Sequence, residues 1–161
     1  MTESITQALT AAAALGCAMN AGLFFIFSNT VMDALGRLPG GQGIAAMQSI
    51  NRVILNPLFF VLFLGTAVLC AVVVALFFFQ WDRASALWQL LGAASYLIGT
   101  LVVTAARNVP MNNALDGADA GSEAARTLWA DYLRRWVFWN HVRTVACTAG
   151  AMAFLVAMAL R

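Results

Sequence analysis

Charge is scarce in this sequence. Only 10% of its 161 residues are Asp, Glu, Lys or Arg and 62% are hydrophobic, where a soluble globular domain averages about 25% charged and roughly 45–50% apolar. That balance excludes an ordinary water-soluble domain, and the mean hydropathy of +0.81 agrees. Lysine is missing altogether: the basic residues are all arginine and outnumber the acids by 9 to 7, with no basic cluster interleaved with aromatics. A net charge of +2 leaves no electrostatic footprint for nucleic acid, so no such partner is expected. Cysteine is limited to Cys17, Cys70 and Cys147, with no Cys-x-x-Cys, which excludes a thiol–disulfide exchanger of the usual pattern. Each cysteine lies inside an apolar run, where it reads as a small apolar residue. Histidine occurs once, at His141, so at most one axial haem ligand is available from this residue type.

What the sequence has in place of charge is long apolar runs. Crossing a bilayer takes about 20 apolar residues, and four segments qualify: 5–27, 57–79, 86–106 and 137–160. Lipid offers no partner to an unpaired backbone group, so each is expected to be helical. The expected fold is therefore all-α: a polytopic membrane protein, one domain over 1–161, built as a four-helix transmembrane bundle with helical extensions before spans 2 and 4. The bilayer is its first partner, the bacterial inner membrane its expected location, and a homo-oligomer is left open. No Lys or Arg precedes the first run, so it reads as a retained helix and not as a signal peptide.

The connections refine this plan. Gln80 to Ser85 is short and makes spans 2 and 3 antiparallel neighbours. Between spans 1 and 2, Pro39-Gly40-Gly41 forms a turn, and Ile44 to Asn56 reads as a helix leading directly into span 2. After span 3, Asn108-Val109-Pro110-Met111-Asn112 is expected to end the helix in a turn. Ser122 is a plausible N-cap, with Glu123 in the first turn of a helix continuing into span 4. Gly22, Gly65, Gly92 and Gly99 would allow close helix packing. Seven arginines (37, 52, 107, 126, 134, 135 and 143) fall on the side of the long links and only Arg83 and Arg161 on the other; with Arg52, Arg107 and Arg143 set aside as candidate site residues the count is four against two, which leans towards cytoplasmic long links without fixing the orientation.

Up-and-down connectivity sends four polar groups to one side of the membrane. Ser28 and Asn29 leave span 1; Asn51, Arg52 and Asn56 enter span 2; Arg107, Asn108 and Asn112 leave span 3; Asn140, His141 and Arg143 enter span 4. A charge at mid-helix costs roughly 2.5–3.5 kcal/mol on insertion scales, and a helix–helix hydrogen bond returns only about 0.6 kcal/mol on average. A polar layer drawn from four helices is therefore expected to form a small-molecule pocket. At about 100° per residue, Trp136, Asn140 and Arg143 share one narrow face, with Trp139 beside them; His141 points elsewhere. Snorkelling arginines, an interfacial aromatic belt and helix caps are the bland readings of the same residues. A channel or transporter fits less well, because the polar groups do not continue across the spans.

Three motifs carry a resemblance. Met47-Gln48-Ser49-Ile50-Asn51, Asn108-Val109-Pro110-Met111-Asn112-Asn113-Ala114-Leu115 and Trp136-Val137-Phe138-Trp139-Asn140-His141-Val142-Arg143-Thr144 resemble the anthrone oxygenase-like family of small membrane proteins. The resemblance covers almost the whole chain and implies oxidation of a hydrophobic aromatic, anthrone-like substrate by molecular oxygen. Such a reaction needs a base, donors for an enolate oxygen and a dry aromatic pocket. The candidates are His141, Arg143 and Asn140 for catalysis, and Asn51, Arg107, Asn108, Asn112, Trp136 and Trp139 for binding, with Phe24 as a further wall. No cofactor is expected from this chemistry. A haem or metal held through His141 is the alternative, and a small-molecule binding or structural subunit is another.

Overall fold

The computed structural model describes residues 2–80 and 84–160, and every long element in it is helical. Half of the expected turn between spans 2 and 3 (residues 81–83) lies outside the described residues, as do Arg83 and Arg161 of the charge count.

Helix α1 (Thr2–Ile26) passes through a π turn, Phe27–Val31, into α2 (Met32–Gly36), so span 1 runs unbroken beyond its expected end at 27. Gly40, at φ 59°, takes a backbone conformation that side chains disfavour and reverses the chain into α3 (Gln42–Val53). Span 2 is α4 (Pro57–Gln80). Span 3 opens as α5 (Ala84–Tyr96), widens through π segments Leu97–Val102 and Thr104–Asn108, and continues as α6 (Val109–Asp116). Span 4 belongs to α7, a single helix of 37 residues, Glu123–Ala159. Ser122 caps it as expected, its Oγ accepting from the Ala125 N–H at 3.1 Å.

Two local expectations are corrected. The helix before span 2 does not run into it. Pro57 disfavours the helical conformation at Asn56, so the chain breaks there. Asn56 caps the new helix, its Oδ1 accepting from the Phe59 N–H at 3.1 Å while its Nδ2 donates to the Val53 carbonyl at 3.0 Å. Nor does span 3 end at Asn108. Pro110 falls in the first turn of the segment that follows the π turn, where a missing N–H is tolerated, and the helix carries on to Asp116.

The spans form a four-sided bundle: α7 packs on α1 and α5, and α4 packs on the other flanks of the same two helices. Four helices are long and apolar enough to cross a membrane, yet only 28–39% of each span's most apolar stretch is buried inside the bundle. Outward residues such as Leu58, Val61 and Phe79 are 71–83% exposed; an apolar surface of that extent belongs against lipid, and the chain is a multi-pass membrane protein. Helices α5 and α7 approach closely, and a Cβ on Gly92 would lie 3.1 Å from the Gly150 carbonyl. Span 3's Gly99 is likewise pressed against Ala146, but Gly22 and Gly65 have nothing within 4 Å and play no such part.

The core is in two parts. One, within the spans, includes Cys17, Phe24, Phe63, Cys70, Tyr96, Cys147 and Phe154. The other lies at the ends that carry the polar layer, where Met32, Ile44, Met47, Leu115, Tyr132 and Trp136 pack α2, α3, α6 and the first half of α7 together. Gln48 ties this second part, its Nε2 donating to the Leu115 and Ala118 carbonyls at 2.8 and 2.9 Å. The seam between the two parts holds the site.

Candidate functional site

A cavity of about 260 Å³ opens at that seam. It lies just below the roughly 300–1,000 Å³ usual for drug-sized ligands, so it suits a compact molecule. Its lining is apolar with polar side chains from three helices: Asn51 and Arg52 of α3, Thr104, Asn108, Asn112, Asn113 and Asp116 of span 3, and Asn140 and Arg143 of α7.

Arg143 is the centre of this arrangement. Its side chain is nearly sealed from the surface, with the residue 5% exposed, and no carboxylate pairs with it among the described residues. Nη2 donates to Asn140 Oδ1, and Nη1 donates to Thr104 Oγ1 at 3.2 Å. The guanidinium carbon sits 4.2 Å from the Phe24 ring centroid and 5.4 Å from that of Trp136, close enough for attraction to both π faces. Nε finds no partner among the described residues. A buried cation of this kind is stabilised by dipoles and rings but lacks a counter-charge, and it favours an anionic occupant.

Asn140 holds the cation in place. It is fully buried, and its Nδ2 donates to the Phe24 carbonyl at 2.6 Å and to Ser28 Oγ at 2.5 Å. Two acceptors on one side and a guanidinium on the other fix the amide's orientation. Both amide hydrogens are thereby committed within the protein, and its oxygen positions Arg143. Ser28 lies in the π turn of span 1, while Thr104 and Asn108 lie in that of span 3. Both widened turns, a form frequent at functional sites, therefore carry polar groups that meet α7.

The walls are braced in the same way. Asn112 Oδ1 accepts from Trp136 Nε1 and from the Tyr132 hydroxyl, both at 2.8 Å. Tyr132 stacks on Trp136 with centroids 5.8 Å apart. Asn108, 1% exposed, donates from Nδ2 to the Trp136 carbonyl at 3.4 Å. Its Oδ1 has no partner among the described residues, and neither does Asn51 Nδ2. At the mouth, Arg52 Nη1 pairs with Asp116 Oδ1 at 2.6 Å, both partly exposed.

Asn51, Asn108, Asn112, Trp136, Asn140 and Arg143 thus come together, with Phe24 as a wall. His141, Arg107 and Trp139 do not line the cavity. His141 is exposed, one residue and so about 100° round from Asn140. Arg107 lies over the Trp139 ring at 4.9 Å, an outward pair beside the buried one. Asn29 is exposed, and Asn56 serves as a cap. Among the described residues no group of three His, Cys, Asp or Glu side chains gathers to hold a metal ion.

Thr104 and Tyr132 are site residues that the polar-layer argument did not single out. The signal was in the spacing: Thr100, Thr104, Asn108 and Asn112 recur every fourth residue, as do Tyr132, Trp136 and Asn140, and each series lies on one helix face.

The family model described as anthrone oxygenase matches residues 59–153, more than half of the chain. No curated protein and no solved structure matches it.

Proposed function

Since the chain belongs to the anthrone oxygenase family, we propose that it is a membrane-embedded oxygenase acting on a hydrophobic aromatic, anthrone-like substrate with molecular oxygen. The observation that carries this reading is Arg143: a buried guanidinium without a carboxylate partner, set between two aromatic faces in a compact apolar cavity. An anthrone ionised at its ring CH2 places negative charge on its carbonyl oxygen, and a guanidinium already oriented by Asn140 and Thr104 stabilises that charge with little reorganisation. Phe24 and Trp136 flank the ring system. The carbon then gives electrons to oxygen, a C–O bond forms, and loss of water leaves the second carbonyl; anthrone plus O2 becomes anthraquinone plus water. The proton released on ionisation leaves towards the mouth, where Asp116 is the carboxylate that lines the cavity. The substrate enters from the bilayer, which concentrates apolar molecules at the site.

The test is oxygen uptake by the purified protein with an anthrone, corrected for the protein-free rate, with ¹⁸O2 to follow the label into the new carbonyl. Enzyme-dependent uptake and label are expected, and both should be lost in an Asn140→Ala/Arg143→Ala double variant. Uptake no faster than without protein overturns the reading. Turnover that survives the double variant overturns the residue assignment.

A further inference from the structure

Oxidisable rings are unevenly placed in this protein. Four aromatic side chains line the cavity, Phe24, Phe27, Phe59 and Trp136, and of these only the indole of Trp136 gives up an electron readily. Trp136 is in turn the inner end of a stack. Its ring centroid lies 5.8 Å from that of Tyr132, with the planes at 17°, and Tyr132 lies 5.5 Å from Trp129 at 18°. Positions 129, 132 and 136 share one face of α7, so a single helix carries all three rings. Trp136 and Tyr132 are 5% and 2% exposed, whereas Trp129 is only partly buried and precedes the apolar run at 137–160. The stack therefore leads from the cavity wall out towards water. Packing accounts for three rings here but not for their being indole, phenol and indole. The stacked pair within the spans, Phe59 on Phe63, is built of rings that resist oxidation.

Two features drive a positive hole outwards along this stack. The Arg143 guanidinium carbon is 5.4 Å from the Trp136 ring centroid. It attracts the neutral ring but repels one that has lost an electron, with little water between them to screen the charges. The Trp136 N–H is also bound to Asn112 Oδ1, an amide oxygen and so a poor base, and the oxidised indole is not trapped by losing its proton there. The Tyr132 hydroxyl donates to the same oxygen at 2.8 Å. An oxidised phenol is a far stronger acid than an oxidised indole. Its proton can shift along that hydrogen bond as the electron leaves and return when the electron is replaced.

We infer that Trp136, Tyr132 and Trp129 form an electron relay that carries oxidising equivalents out of the cavity to a water-soluble thiol, protecting the site from radicals formed in it. The source of those radicals rests on the oxygenase reading; the relay does not. An enolate that gives one electron to oxygen leaves a carbon radical, and a second oxygen molecule adds to it as a peroxyl radical. That radical takes an electron from Trp136 and a proton from water at the mouth, and becomes a hydroperoxide. The electron is replaced from Tyr132 and then from Trp129. A thiol reduces Trp129, gives its proton to water and leaves as a thiyl radical, and two such radicals join as a disulfide. The net change is one hydrogen atom passed from thiol to peroxyl radical.

The experiment supplies the radicals from outside, so anthrone turnover plays no part in it. The full-length protein in lipid nanodiscs is exposed to peroxyl radicals from a lipid-soluble azo initiator. Oxidised indole at Trp129 and Trp136 is then mapped by mass spectrometry, with and without a charged thiol confined to the water. In the unaltered protein Trp129 should carry more of the product than Trp136, and the thiol should suppress both. Tyr132→Phe keeps the stacked ring but removes the oxidisable phenol. There Trp136 should carry more of the product, and the thiol should protect Trp129 alone, because Trp136 is 5% exposed. The same distribution in the two proteins, or no product in either, overturns the inference. So does thiol protection of Trp136 that survives Tyr132→Phe. If Tyr132→Phe does not fold, Trp129→Phe decides: the thiol should then fail to protect Trp136, and protection overturns the inference. A working relay without anthrone turnover overturns the oxygenase reading alone, and turnover without the relay overturns this inference alone.

Discussion

Replacing Arg143 by methionine separates a functional cation from a structural one. Methionine keeps much of the side chain's length and packs against Phe24 and Trp136, but removes the charge. Removing it forfeits the cation–π attraction, about 0.5–2 kcal/mol, and leaves Asn140 Oδ1 buried without its donor, at about 1–3 kcal/mol. Against these stands the relief of no longer holding a charge at membrane depth, roughly 2.5–3.5 kcal/mol. The terms largely offset one another, so stability should move by no more than about 2.5 kcal/mol in either direction, within the typical point-mutation range of about 0.5–3 kcal/mol. Stabilisation of the developing enolate has no such compensation; losing a pre-set donor of this kind costs about 10²–10³ in kcat. The assays are thermal unfolding and oxygen uptake on the same nanodisc preparation. Arg143→Met should unfold near the wild-type temperature and turn over two to three orders of magnitude more slowly. Arg143→Lys should lie between, because a point charge cannot serve Asn140, Thr104 and a ligand together. Turnover of Arg143→Met within about threefold of wild type, or a loss that merely follows the folded fraction, would refute the reasoning.

Other outcomes follow from particular contacts. His141→Gln should leave oxygen uptake within about twofold of wild type, since His141 is exposed and outside the cavity; a loss of a hundredfold would return it to the mechanism. Trp136→Phe removes the hydrogen bond to Asn112 while keeping an aromatic wall, and KM should rise more than kcat falls, as read from initial rates. Asp116→Asn breaks a partly exposed ion pair with Arg52 and should change unfolding stability by less than about 1 kcal/mol. Gly99→Leu should lower the thermal midpoint clearly, because even a Cβ there would lie 2.4 Å from that of Ala146, whereas Gly65→Ala, with nothing within 4 Å, should not.

The four spans were legible because composition alone dictates them. The polar layer was legible because short connections leave no choice about which helix ends share a side of the membrane. Within α7, spacing grouped Trp136, Asn140 and Arg143 and set His141 apart, as the structure has it. What spacing could not supply was each helix's rotation against its neighbours. On helices this apolar the hydrophobic pattern marks no inward side, and only the four-residue polar spacing told Asn108 and Trp136 from Arg107 and Trp139. The π turns at Phe27–Val31 and Thr104–Asn108 have no plain sequence signal. They are stabilised by what they meet, such as Ser28 and Thr104 on the buried Asn140 and Arg143. Pro57 and Pro110 misled in opposite directions: one breaks a helix at its own first turn, while the other sits harmlessly in a first turn that a π segment created.

The elbow between α3 and α4 has a consequence for how such a protein must be measured. Leu55, at the bend, is 61% exposed and also lines the cavity, so the cavity wall continues without interruption onto the outer apolar surface. A ligand that reaches the site along that surface is counted per lipid molecule, and its molarity in the buffer is the wrong variable. Adding empty vesicles or detergent at fixed total ligand should dilute it in two dimensions and raise the apparent KM, with kcat untouched. Rates from different preparations become comparable only when ligand is expressed as a mole fraction of the amphiphile.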